Sequence, residues 1–320
     1  MNVLLTGASG FVGRAVQERL LADGVHQVRA AFRVLPTSTP DRLQVCHAPD
    51  LGPQGDWREA LSGIDAVIHC AARVHVMHEQ DDDPLQAFRR VNVAGTLQLA
   101  RQAVEAGVRR FIYLSSIKVN GEMTRPGQPF RADDPATATD PYGISKWEAE
   151  EGLFALARDT GLEVVVVRPP LVYGPDVRAN FLSMMNWLKK GVPLPFGAIR
   201  NQRSLVAVGN LADLLRVCLD HPAAAGQRFL VSDGNDLSTS ELLRQLGVAL
   251  RRPARLVPVP QAWLELAARV LGRDDIGRRL CGSLQVDIAK TRTLLNWTPP
   301  LTVEQALALT ATRFLDSQSR

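Results

Sequence analysis

A doubly wound α/β fold, a Rossmann-like parallel sheet followed by a smaller mixed lobe, is what this sequence predicts. Three observations carry it. An apolar run enters a glycine turn at the start of the chain, strands then alternate with helices to about residue 170, and the alternation fails beyond it. Residues 1–170 form the sheet unit, to which some later segments return, and residues 171–320 form mainly the second lobe.

Each element has its own signal. Val3-Leu4-Leu5 is a short apolar run ended by Gly7, the pattern of a buried parallel strand. Val12, Val16, Leu20 and Leu21 then make one stripe of a helix that Gly24 stops. Further strands are predicted at 28–32, 65–70 and 111–114. Between the last two, Leu85, Phe88, Val91 and Leu99 recur at helical spacing, with Gly107 as the stop. Asp140-Pro141 places a capping residue before proline at a first helical position, and that helix runs to Gly161. Residues 163–167 are the most β-rich stretch of the chain. Such alternation implies parallel pairing through right-handed crossovers. Beyond Pro169 proline becomes frequent, and helices and short strands are expected to mix over 181–190, 205–208, 210–220, 240–250 and 303–315.

The 320 residues are 46% hydrophobic and 22% charged, which excludes a disordered or fibrous chain. The net charge of +4, read as spread along the chain, implies no nucleic-acid partner and suits an anionic small molecule. Cys46, Cys70, Cys218 and Cys281 show neither CxxC spacing nor a His partner, so no disulfide and no metal site is expected. The first residues lack a basic segment and a long apolar core, and nothing approaches the ~20 apolar residues of a membrane span. A cytoplasmic protein without membrane insertion is expected.

Thr6-Gly7-Ala8-Ser9-Gly10-Phe11-Val12-Gly13 is the turn between that first strand and its helix. Gly7 permits the tight turn, Gly10 lets the backbone approach a pyrophosphate at the helix N-terminus, and Gly13 allows close helix–strand packing. Gly7, Ser9, Gly10, Phe11, Val12 and Gly13 are therefore candidate dinucleotide contacts, at GxxGxxG spacing. An acid after the second strand would accept the adenosine ribose hydroxyls, whereas an Arg would accommodate a 2′-phosphate. Arg33 occupies that end and no acid does, which favours NADP(H) over NAD(H).

Tyr142 and Lys146 stand at i and i+4, on one face of the predicted helix. A nearby ammonium is expected to lower the phenol pKa, so that Tyr142 can exchange a proton with a substrate oxygen. Ser116, at a strand end, is placed to hydrogen-bond that oxygen.

The glycine turn, Ser115-Ser116 and the Tyr142/Lys146 pair resemble the extended short-chain dehydrogenase/reductases, the NAD-dependent epimerase/dehydratase family, over essentially the whole chain. The resemblance makes Tyr142 the acid-base group, Ser116 the residue orienting the substrate, and Lys146 also a nicotinamide-ribose ligand. It assigns Asp50-Leu51 to the adenine, Cys70-Ala71-Ala72 to the pyrophosphate loop, and Pro169 and Val172 to the segment after the sixth strand. The resemblance also implies that Asn92 helps order the catalytic site. Asn180-Phe181, Arg203 and Arg279 (or its neighbour Arg278) would hold the diphosphate and uracil of a UDP-sugar. The first unit is then a dinucleotide-binding domain, the second a substrate lobe, and the assembly a homodimer. Trp147, Leu153, Leu156 and Ala157 would face either the partner or the sheet.

Family dehydratases carry an Asp-Glu pair directly after the catalytic Ser or Thr; Ile117 and Lys118 stand there instead, which disfavours dehydration. Residues 115–122, 168–175 and 283–290 are most similar to bacterial reductases that make UDP-N-acetylquinovosamine in O-antigen synthesis. The expectation is therefore NAD(P)H-dependent reduction of the 4-keto group of a UDP-2-acetamido-2,6-dideoxy-hexulose. The alternative is a UDP-hexose 4-epimerase with tightly bound NAD. An apolar-ketone reductase and a non-catalytic dinucleotide sensor rank below both.

Overall fold

The computed structural model describes residues 1–74, 83–125 and 127–318, with the side chains of residues 274–276 left aside. Its strands are β1 (Asn2–Thr6), β2 (Gln27–Phe32), β3 (Leu43–His47), β4 (Ala66–His69), β5 (Arg110–Leu114), β6 (Glu163–Arg168), β7 (Leu171–Tyr173), β8 (Leu205–Ala207) and β9 (Arg228–Leu230). The helices of the first unit are α1 (Phe11–Asp23), α2 (Arg58–Leu61), α3 (Pro84–Phe88), α4 (Thr96–Glu105) and α5 (Pro141–Thr160). After them come α6 (Ala179–Lys189), α7 (Val208–Asp220), α8 (Thr239–Ala249), α9 (Gln261–Val270), α10 (Asp274–Cys281), α11 (Ala289–Leu295) and α12 (Val303–Ser317).

Seven strands pair in parallel in the order β3-β2-β1-β4-β5-β6-β9. The predicted Rossmann-like sheet is thus present. The chain steps outward from β1 to β3 and then crosses back to β4. Loops leaving the C-terminal ends of β1 and β4 therefore diverge, and a crevice opens between them.

The period of two in a strand explains how one valine run serves both faces of the sheet. In β6, Val165 and Val167 join the core beneath α1 and α7, with Val16, Leu20 and Leu211. Val164 and Val166 join the core beneath α4 and α5, with Leu99, Ala103 and Leu153. Helix α5 begins at Asp140-Pro141 and stops where Gly161 turns left-handed at φ 75°, as its sequence predicts.

The sequence reading has no counterpart for β9, α9, α10 and α11, and two regions of the first unit also depart from it. The edge strand β3 carries exposed Gln44 and Val45, so its apolar alternation is too weak to read. The helix predicted through Leu85 and Leu99 is three segments, because the seven residues Arg89–Gly95 form a π-helical stretch between α3 and α4. Gly95 meets the backbone of Leu51 there, where a Cβ would come within 2.8 Å of the Leu51 carbonyl carbon.

The second lobe has its own core, built from Tyr173, Phe181, Leu188, Leu242, Leu246 and Leu307 around the short parallel pair β7–β8. The chain also returns to the first unit: β9 pairs with β6, and Leu211, Leu214 and Leu215 of α7 share the core of α1.

Candidate active site

The glycine turn crosses the crevice at the end of β1. Gly7 has φ 70°, and a Cβ on it would lie 2.7 Å from the Ala71 backbone nitrogen; Cys70-Ala71-Ala72 is thus pressed against the turn. A Cβ on Gly13 would come 2.0 Å from the Gly7 carbonyl oxygen, so only glycine lets α1 start this close to β1. Gly10 caps α1 without any side-chain hydrogen bond, so no side chain of the cap competes for the amides of Phe11, Val12 and Gly13. Ser9 is exposed beside them, and its carbonyl accepts from Arg14 Nη1 at 3.1 Å. Arg33 is exposed immediately past β2, and Asp50-Leu51 follows β3 at the same edge. A helix N-terminus without a side-chain cap, reached by a glycine turn, is a place where an anion is favoured.

Ser116, Tyr142 and Lys146 are assembled from β5 and α5. Ser116 follows the end of β5, and its hydroxyl accepts from the Lys118 amide at 3.3 Å. Tyr142 lies in the first turn of α5, edge-on to Phe88 with ring centroids 5.9 Å apart. Lys146, one turn on, is 2% exposed. Its ammonium donates to the Leu114 carbonyl at 2.8 Å and to the Tyr113 hydroxyl at 3.1 Å, lies 4.4 Å above the Tyr113 ring, and is 5.9 Å from the centre of the Tyr142 ring.

This geometry corrects one expectation. The phenol of Tyr142 is not acidified by its helical neighbour; burial, with the Asp140 carboxylate, pushes its pKa up. The ammonium faces Tyr113 instead. Burial pulls Lys146 itself down to about 7.

Asn92 sits in the π-helical stretch, 1% exposed. Its side-chain oxygen accepts from the Arg73 amide at 2.8 Å, and its nitrogen donates to the Arg73 carbonyl and to Ser145 Oγ, each at 3.0 Å. Ser145 in turn donates to the Tyr142 carbonyl at 2.8 Å. One amide thereby ties the loop after β4 to the first turn of α5, and an irregular helix supplies it.

Two buried groups escape the sequence reading. His69 at the end of β4 lies between Thr6 Oγ1 at 2.6 Å and Thr96 Oγ1 at 3.0 Å, stacked on Tyr113; burial first, then Lys146, drives its pKa to about 3. Glu150, 0% exposed, receives Arg168 Nε at 2.9 Å, Arg168 Nη2 at 2.5 Å, Arg228 Nε at 3.3 Å and the Ser115 hydroxyl. Arg168 also donates to Asn120 Oδ1 at 2.9 Å. The signal was present, since Tyr142, Lys146 and Glu150 recur every four residues along one helix face.

On the substrate side the structure separates the predicted residues. Asn180 is exposed in the first turn of α6. Phe181 is corrected as a side-chain contact: at 2% exposure it stacks on Tyr173, rings 5.3 Å apart, inside the lobe core rather than at the surface. Arg203 donates to the carbonyls of Arg279 and Gly282 at 3.0 and 3.1 Å, which brings the exposed Arg279 and α10 to its side. Pro169 accepts from the Ile117 amide at 3.0 Å, holding the Ser116 loop, and Val172 lies in β7. Ile117 is buried, and Lys118 pairs with Asp140 at 3.2 Å and Glu122 at 3.3 Å, so neither provides the acid and base of a dehydratase. Of the apolar stripe on α5, Leu153 packs into the sheet while Trp147 is 41% exposed.

Sheet order, glycine turn and the α5 side chains define a Rossmann-like architecture with a buried tyrosine and lysine one turn apart on α5. The chain belongs to the NAD dependent epimerase/dehydratase family, whose model it matches over residues 3–232. It is 46% identical over 320 residues to a UDP-glucose 4-epimerase of Vibrio cholerae, covering 100% of this chain and 97% of that relative. It is 27% identical to an N-acetyl-alpha-D-glucosaminyl-diphospho-ditrans,octacis-undecaprenol 4-epimerase of Escherichia coli O157:H7, across 96% of this chain and 93% of the relative. Among solved structures, UDP-glucuronic acid 4-epimerase from Bacillus cereus, in complex with UDP-glucuronic acid and NAD, aligns with a TM-score of 0.79 at 20% identity, covering 99% of this chain and 100% of that one.

Proposed function

We propose that the protein is a UDP-sugar 4-epimerase that keeps a nicotinamide dinucleotide in the crevice throughout turnover. The observation that carries this reading is the end-to-end likeness, at 46% identity, to a UDP-glucose 4-epimerase. It displaces the 4-keto reduction expected from the sequence to second place.

The residues present suit the dinucleotide, because a side chain at Gly7 or Gly13 would fill the cradle and the α1 amides carry no competing cap. In the proposal, Gly7, Ser9, Gly10, Phe11, Val12 and Gly13 hold the pyrophosphate. Cys70-Ala71-Ala72, Pro169 and Val172 wall it, Asp50-Leu51 holds the adenine, and Lys146 and Tyr142 hold the nicotinamide ribose. When bound, the group supplies hydride transfer at carbon 4 of the sugar. Tyr142 would have to be phenolate for this, a form that burial disfavours and that the positive charge of the bound dinucleotide would favour; it then takes the proton of the 4-hydroxyl and returns it after the ketone has turned. Ser116 donates a hydrogen bond to that oxygen in the ketone state. Asn92 fixes the first turn of α5, and Asn180, Arg203 and Arg279 hold the nucleotide diphosphate. A cytoplasmic homodimer completes the proposal, joined through α4 and α5 where Trp147 is exposed.

Arg33, exposed past β2 in place of an acid, supports the second reading, a 4-keto reductase of a UDP-2-acetamido-2,6-dideoxy-hexulose that exchanges NADP(H). One experiment separates the two. Purified protein is given UDP-glucose or UDP-N-acetylglucosamine without cofactor, products are resolved by chromatography, and the nucleotide released on denaturation is weighed by mass spectrometry. The expected result is the 4-epimer together with retained dinucleotide. No epimer from either sugar, with oxidation of added NADPH by the ketosugar, overturns the epimerase reading.

A further inference from the structure

Helix α9 turns its apolar side the wrong way for a surface helix. Trp263, Leu266 and Val270 are 71, 60 and 77% exposed, and Leu271 just beyond is 74% exposed. Positions 263, 266, 267 and 270 form one stripe, and none of the ten residues of α9 is buried. The opposite side is taken by α10, where a Cβ on Gly277 would stand 2.9 Å from the Ala268 Cβ. The outward stripe is therefore not spare core surface.

Charge is concentrated on the same segment. Residues 251–280 contain arginines 251, 252, 255, 269, 273, 278 and 279 against three acids and no lysine, a net +4 equal to that of the whole chain. All seven arginines are exposed. The remainder of the sequence is neutral, so the charge is not spread as the composition alone implies.

We propose that α9 docks the protein on an anionic bilayer surface. Trp263, Leu266, Val270 and Leu271 enter the boundary between headgroups and acyl chains, and the flanking arginines meet lipid phosphates. An apolar stripe with a basic border matches both terms of interfacial binding, area removed from water and attraction to anionic lipid. A second copy of the chain would set one basic segment against another, and a nucleic acid would leave the apolar stripe uncovered. Among the described residues no helix is long and apolar enough to cross a membrane, so the contact is peripheral. Arg203, bonded to the Arg279 and Gly282 carbonyls, couples the docked helix pair to the second lobe.

The test uses the full chain with vesicles of phosphatidylcholine alone and with one-third phosphatidylglycerol, read by co-sedimentation and tryptophan emission. Binding is expected to favour the anionic vesicles by about tenfold or more and to weaken in molar salt. Leu266→Ser/Val270→Ser should lose about tenfold in binding while its melting temperature and its turnover of a water-soluble substrate stay unchanged. Arg269→Gln/Arg273→Gln should lower the preference for anionic lipid, and Trp263→Phe should remove the vesicle-induced emission shift. No binding to anionic vesicles overturns the proposal, as does equal binding by the Leu266/Val270 variant. A solution dimer of the wild type that this variant dissolves, with no lipid binding, assigns the stripe to a second copy instead.

Discussion

Replacing Glu150 with Gln tests whether the buried ion network holds the catalytic elements together. The carboxylate is fully enclosed and bonds Arg168, Arg228 and Ser115, while the Arg168 guanidinium is itself 2% exposed. A glutamine preserves the volume and can still accept from Ser115, but it removes the charge that balances Arg168 and points an NH₂ at it. Breaking one side of a buried pair costs about 3–5 kcal/mol, because the remaining cation has no water to return to. That is a large share of a typical stability of about 5–15 kcal/mol. Ser115 precedes Ser116, the proposed substrate-orienting residue, and Glu150 lies one turn beyond Lys146, so kcat should fall with little change in KM. Urea unfolding followed by circular dichroism measures the first quantity, and steady-state kinetics the second. Replacing both partners, with Glu150→Leu and Arg168→Met, should recover much of the stability, since apolar packing removes the stranded charge. A loss below about 1 kcal/mol in Glu150→Gln would refute the reasoning, because the pair would then be no more than a screened surface contact.

Other outcomes follow from the same geometry. Tyr142→Phe keeps the ring packing on Phe88 but removes the proton carrier; turnover should fall by about 10²–10⁴ while bound dinucleotide, read by absorbance of the purified protein, is retained. Gly13→Ala puts a Cβ 2.0 Å from the Gly7 carbonyl, and the turn must open; stability should drop by about 1–3 kcal/mol and less dinucleotide should co-purify. Lys146 titrates near 7 in the folded chain because burial disfavours its charge, against 10.5 unfolded. Between those values the unfolded chain binds the extra proton, so this group makes apo-protein stability rise with pH, by about 5 kcal/mol over the window as an order of magnitude. Lys146→Met should flatten that rise in urea titrations at pH 7 to 9; an unchanged slope would show the ammonium to be solvated.

What was legible in the sequence was local. Gly7, Gly24 and Gly161 mark places where the backbone must turn left-handed, and Asp140-Pro141 marks a helix start, so β1, α1 and α5 could be bounded from nearest neighbours alone. The spacing of Tyr142 and Lys146 likewise follows from helix geometry. The direction of the Lys146 side chain does not, because it is chosen by Tyr113 and the Leu114 carbonyl, which reach it through strand pairing. His69 and Tyr113 lie inside apolar runs, where a polar side chain reads as a strand residue until its partners across the sheet are known. Phe181 is the reverse case. Its neighbours Met184, Met185 and Leu188 continue its stripe at helical spacing, and this periodicity, rather than resemblance, described its place in the core.

The stripe Tyr142, Lys146, Glu150 joins reaction and architecture on one helix. Glu150 is locked to β6 through Arg168 and to the β5 end through Ser115, which fixes the rotation of α5 about its axis. Asp140 and Gly161 fix its ends. The phenol and the ammonium are therefore positioned by strands rather than by loops, which suits a proton transfer that tolerates little displacement. Lys146 is the exception to good packing on this face. An apolar side chain there would escape the desolvation that drags its pKa to about 7, which the Leu114 carbonyl, the Tyr113 hydroxyl and the nearby Cys70 and Glu150 offset only in part. A buried cation that weakens the fold at neutral pH, set one turn from the tyrosine at the open end of the sheet, is what a demand from bound ligand produces and packing alone does not.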